Sequence, residues 1–146
     1  MGLPARVAAV GVLVLVFVGG LSAPDTDLRD YPVESAAWMR GEDLLDSDSR
    51  VVSRDFVGNW FTYEYGPDDV SVYLDDRVDM YPLPVIADYT TLIDEDGDYA
   101  AVLDRADATA VLWDTDSPLA TWLEDPANGW DIVHTTDLWV VAVPAD

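Results

Sequence analysis

Eighteen consecutive uncharged positions, Val7 to Pro24, open the hydrophobic pattern; beyond them short apolar runs alternate with acidic ones to the end of the chain. A bilayer core takes roughly 20 apolar residues, with about 17 as the lower limit, so the first run just reaches across. Asp30-Tyr31-Pro32 opens a helix, because proline suits the first helical position. Val33, Ala36, Ala37 and Arg40 share one face of it, and Gly41 stops it. Arg50 to Phe56 is β-branched and reads as a first strand. Gly58 to Tyr65 has strand-like aromatics, but Val57, Trp60, Phe61 and Glu64 keep helical spacing, so a short helix is predicted. Gly66-Pro67-Asp68-Asp69 is a turn.

Val70 to Leu74 reads as a second strand and Leu83 to Leu92 as a helix. The acidic loop Asp94-Glu95-Asp96-Gly97-Asp98 separates that helix from another, Tyr99 to Ala106. Ala108 to Trp113 is a third strand. Asp116-Ser117-Pro118 caps a helix running to Glu124, which Asp125-Pro126 ends. Trp130 to His134 and Leu138 to Val143 make a hairpin across Thr135-Thr136-Asp137. Strands alternating with helices predict an α/β fold: a small Rossmann-like layered domain, with a mainly parallel sheet and a C-terminal antiparallel hairpin.

Charge divides the chain at Pro24. All 29 acidic residues follow it, there is no lysine, Arg6 alone of the seven arginines precedes the apolar run, and the whole chain carries −22. Positive charge stays on the cytoplasmic side. Residues 1–24 are therefore expected to form a single-pass membrane helix, N-terminus inside, with residues 25–146 as an acidic extracytoplasmic domain. A cleaved secretory signal is the alternative: a cut after Ala23 places bulky Leu21 badly, but cuts after Gly20 or Ser22 are tolerable. Six Trp and seven Tyr argue for a packed core, and the absence of cysteine excludes disulfide and thiolate chemistry. So negative a domain repels nucleic acid, and its charge suits hydration in salty surroundings.

Ligands of open α/β sheets gather at the carboxyl ends of the strands. By the assignment above, Asp55 follows strand one, Asp75, Asp76, Arg77 and Asp79 follow strand two, and Asp114, Asp116 and Ser117 follow strand three. Converging carboxylates there would hold a hard cation or form an acid–base pair, although Asp is also common at caps and turns for backbone reasons. The 94–98 loop fails the calcium-loop pattern, because Leu92 stands where an acidic or amide residue is required. His134 is the single histidine, so a Ser-His-Asp site or a histidine metal cluster is not expected, and no cofactor is.

Several strings together carry a resemblance: Tyr31-Pro32-Val33-Glu34-Ser35-Ala36-Ala37-Trp38, Val57-Gly58-Asn59-Trp60, Val72-Tyr73-Leu74-Asp75-Asp76-Arg77-Val78-Asp79-Met80-Tyr81, and Val111-Leu112-Trp113-Asp114-Thr115-Asp116-Ser117-Pro118-Leu119-Ala120. They resemble the soluble C-terminal region, with the last membrane helix, of actinobacterial polytopic glycosyltransferase-like membrane proteins of the lipid-phosphate-sugar-dependent class. In that class the catalytic carboxylate lies between early membrane helices, so no catalytic residue carries over to a chain with one apolar run. The resemblance implies a non-catalytic glycan- or partner-binding module beside, or derived from, such a membrane protein, and marks Asp75, Arg77, Asp79 and Tyr81. With the strand-end positions, the candidate ligand-binding residues are Asp55, Asp75, Arg77, Asp79, Tyr81, Asp116 and Ser117. The alternative is an exported metal-dependent hydrolase using Asp55, Asp79 and Asp116.

Overall fold

A computed structural model describes residues 28–145; the apolar run at 7–24, and the anchor expected there, lie outside them. Among the described residues no helix is long and apolar enough to cross a membrane. The elements are α1 (Val33–Gly41), β1 (Val51–Ser53), α2 (Asp55–Tyr65), α3 (Leu83–Ile93), α4 (Tyr99–Arg105), β2 (Ala110–Asp114), α5 (Pro118–Leu123), β3 (Trp130–Thr135) and β4 (Trp139–Pro144). Short 3₁₀ turns lie at Val78–Met80 and Pro126–Asn128.

Alternation along the strands sets the layers, because successive side chains point to opposite faces of a sheet. Val52, Val111, Trp113, Val140 and Ala142 pack with Tyr89 and Leu92 of α3, Val102 and Leu103 of α4, and Leu119 and Leu123 of α5. Val51, Ala110, Leu112, Trp139 and Val141 pack with Ala36 and Met39 of α1 and Val57, Trp60 and Phe61 of α2. The result is an α/β/α sandwich with a core on each face of the sheet. The buried side of α1 carries Ser35, Ala36 and Met39, while Val33, Ala37 and Arg40 are exposed. The helix is thus turned away from the face its pattern suggested, since burying Met39 removes more apolar surface than burying Ala37.

The sheet order is β1-β2-β4-β3. β1 and β2 pair in parallel, but β2 with β4 and β4 with β3 pair antiparallel, so the sheet is mixed rather than mainly parallel. The hairpin is present, yet its second strand lies inside the sheet and its first forms the edge. Burial explains the order. β4 is buried along most of its length, whereas β3 alternates and carries an irregularity between Ile132 and His134. A strand buried on both faces belongs inside a sheet, and a bulged, alternating one belongs at its edge. The expected strand over Val70–Leu74 shrinks to one parallel bridge, Val51 to Val72, with the Tyr73 N–H donating to the Val51 carbonyl at 3.2 Å. The chain then leaves the sheet edge at Leu74 and Asp75, both buried.

Candidate functional site

Parallel pairing brings the carboxyl ends of β1 and β2 to one edge, where Asp114 also pairs with Trp139 at the start of β4. Arg54, directly after β1, bridges the strand ends: its Nη1 donates to Asp114 Oδ2 at 2.5 Å. Its Nε donates to the Tyr89 hydroxyl at 3.3 Å, and its Cζ stands 5.6 Å from the Trp113 ring centre. Burial opposes the charge on Arg54, but the bonds to Tyr89 and Asp114 outweigh it and hold the guanidinium pKa above its ordinary value. The Tyr89 hydroxyl is a hub: it also accepts from the Asp55 N–H at 3.3 Å and donates to Asp55 Oδ1 at 3.0 Å. Burial pushes the Tyr89 phenol up.

Beside the Arg54–Asp114 pair lies a crevice of about 380 Å³, lined by Asp30, Arg54, Phe56, Asp114, Thr115, Asp116, Leu138 and Trp139. Aromatic rings lead away from it. Trp139 stands 6.0 Å from Phe56, Phe56 5.6 Å from Tyr31, and Tyr31 5.7 Å from Trp60. They end at a second hollow of about 320 Å³, lined by Leu28, Tyr31, Asn59, Trp60, Tyr63 and Glu64. The aromatic run on α2 therefore divides, with Trp60 and Phe61 in the core and Tyr63 85% exposed.

Of the predicted residues, Asp116 lines the crevice and is exposed. Asp55 lies at the same edge of the sheet but does not line the crevice, and its Oδ1 is occupied by the Phe56 N–H at 2.9 Å and by Tyr89. Ser117 is a helix cap: its hydroxyl accepts from the Ala120 N–H at 3.1 Å and donates to the Asp114 carbonyl at 2.8 Å. Asp75, Arg77 and Tyr81 form a cluster of their own. Asp75, only 1% exposed, accepts from the Arg77 N–H at 3.0 Å and from the Arg77 guanidinium, and its own N–H donates to the Tyr81 hydroxyl at 3.2 Å. The Arg77 side chain holds the Asp75 carboxyl below its usual range, against the effect of burial. Asp79 is exposed in the 3₁₀ turn.

Among the described residues no three His, Cys, Asp or Glu side chains come together in a way that could hold a metal ion, so Asp55, Asp79 and Asp116 form no such group. The 94–98 loop folds onto backbone instead. The Tyr99 hydroxyl donates to the Asp94 carbonyl, and Asp98 caps α4 by accepting from the Ala101 N–H at 3.2 Å. His134 lies within β3, its ring stacked on Trp38 at 4.7 Å, and does not line the crevice. Arg54, Tyr89, Phe56 and Trp139 were not singled out from sequence as site residues. Asp114 is among the strand-end residues of the sequence reading, and Arg54 is findable in principle because it directly follows the parallel neighbour of that strand. No protein-family model matches the chain, and no curated protein matches it significantly.

Proposed function

We propose that the domain is a non-catalytic glycan-binding module that uses the crevice at the carboxyl ends of β1 and β2. Residues 7–24 act as a single-pass anchor with the N-terminus cytoplasmic, and the domain works outside the membrane beside a polytopic glycosyltransferase-like protein. The layering is read as Rossmann-like, with the ligand at the edge where such sheets take theirs. The observation that carries the proposal is the composition of the crevice, where Phe56, Trp139 and Leu138 stand beside one guanidinium and the carboxylates of Asp30, Asp114 and Asp116. Apolar walls with a few directed polar groups suit a sugar. The half-buried Phe56 ring and exposed Leu138 cover its C–H face over a floor of buried Trp139, while carboxylates accept from its hydroxyls and a guanidinium donates to them. Two of the guanidinium's donors already serve Asp114 and Tyr89, and the surrounding carboxylates disfavour an anion. The ligand is therefore a neutral or amino sugar rather than a phosphorylated or acidic one.

The test is an oligosaccharide array probed with the full chain in lipid nanodiscs. Retention on neutral or amino glycans is expected, with at least about a tenfold loss on Asp116→Ala, a surface change that spares the fold. Retention only on acidic glycans, or on none, sinks the reading.

A further inference from the structure

We propose that the segment from Asp75 to Leu83 is a prefolded knuckle that docks into an apolar groove of another protein, a groove flanked by Arg or Lys. Val78 is 44% exposed, Met80 73% and Leu83 83%, so three large apolar side chains are exposed along one short segment of the chain. Scattered apolar residues are ordinary on a surface, but a contiguous set marks a contact site. The stretch is braced from beneath. The buried Asp75 carboxylate takes the Arg77 N–H and guanidinium, and the Tyr81 hydroxyl takes the Asp75 N–H. The Met80 N–H donates to the Arg77 carbonyl at 2.8 Å, the Tyr81 N–H to the Val78 carbonyl at 3.3 Å, and Pro82 and Pro84 limit the backbone beyond. A segment ordered before binding loses little entropy on binding.

Charge chooses the occupant. Arg77 is neutralised by Asp75, leaving exposed Asp76 and Asp79 as the charges interspersed with the apolar positions of the segment. Apolar positions interspersed with acidic ones complement an apolar groove edged with cations. The same carboxylates, on a chain of net charge −22, oppose insertion among anionic lipid headgroups. This docking does not depend on the glycan reading, since it uses a different surface.

The experiment places a photocrosslinking residue at Met80 of the full chain in the membranes of the cells that make it, with a second at exposed Thr121 as control. Adducts are mapped to the residue by mass spectrometry. The expected adduct from position 80, and not from 121, lies on an apolar protein segment flanked by Arg or Lys. With the crosslinker moved to Val78, its yield falls at least about tenfold in Met80→Asp and Leu83→Asp. It also falls in Asp76→Lys/Asp79→Lys. These exposed changes leave the melting temperature in place, which separates lost docking from lost folding. A lipid adduct, an adduct to a second copy, an adduct on a segment without flanking cations, or no excess over position 121 overturns the proposal.

Discussion

Gly58 in α2 faces the carbonyl of Leu74 so closely that a Cβ on Gly58 would lie 2.1 Å from that oxygen. The obstacle is backbone, so it cannot swing aside. Gly58→Ala must push α2 away from the segment leading into Asp75, and it is expected to cost about 1–3 kcal/mol, as overpacked sites do. Gly41, at the end of α1, has nothing within 4 Å of its would-be Cβ, so Gly41→Ala is expected to be neutral or to stabilise by about 0.5 kcal/mol. Denaturant unfolding of the two variants checks the contrast; equal effects would remove the packing explanation.

The Arg54–Asp114 contact ties the ends of two parallel strands, each side chain about one-third exposed. A double-mutant cycle with Arg54→Gln and Asp114→Asn is expected to give a coupling of about 1 kcal/mol, above an ordinary surface pair but below a fully buried one. Additive single effects would mean that the pair is incidental to stability.

Ser117 divides structure from binding. Loss of its cap in Ser117→Ala is expected to lower stability by about 1 kcal/mol, while glycan retention is unchanged once the protein is folded. A variant of normal stability that no longer retains glycan would restore Ser117 as a ligand contact.

The Asp75 carboxyl titrates below its unfolded value in the folded protein, chiefly through its bond to the Arg77 side chain. The folded state then binds fewer protons at that site than the unfolded one. The stabilisation is complete above the unfolded carboxylate pKa of about 3.9 and disappears as pH falls through the lower folded value. Asp75→Asn is expected to cost about 1–3 kcal/mol at neutral pH and to flatten the acid limb of the stability curve. Unfolding free energies from pH 7 down to about pH 1.5, through the window below the unfolded value, test it. An unchanged acid limb in the variant would show that Asp75 contributes nothing to it.

Self-repulsion among the carboxylates predicts that salt stabilises the chain, because net charge −22 is screened as the Debye length falls from about 10 Å at 0.1 M to about 3 Å at 1 M. The melting temperature is expected to rise by a few degrees over that range. A flat or falling profile would mean that the surface ion pairs outweigh the net charge.

The helices were legible because punctuation marks their ends: Pro32 and Gly41 bracket α1, and Ser117-Pro118 starts α5. The aromatic run of α2 is legible as a helix from the spacing of Val57, Trp60 and Phe61, all buried in one core. The Val70–Leu74 strand failed because β-propensity describes a side chain's fit to a pleated surface and does not supply a partner; Val72 meets β1 at a single bridge. Sheet direction departs from the mainly parallel expectation because the hairpin does not simply add an outer edge: the unbroken apolar run of β4 beside the alternating β3 marks β4 as the inner strand. The crevice was only half legible. Asp116 is legible because it follows β2, but Tyr89 reaches the strand ends from α3, and nothing local in the sequence announces that contact.

The most direct test of the glycan site is ¹⁵N chemical-shift mapping of the full chain in nanodiscs, titrated with a neutral or amino oligosaccharide that the array retains. The account predicts saturable shifts centred on Arg54, Phe56, Thr115, Asp116 and Leu138, with smaller ones at the buried Trp139 indole N–H behind them. Shifts centred elsewhere, or none at saturating sugar, would contradict it.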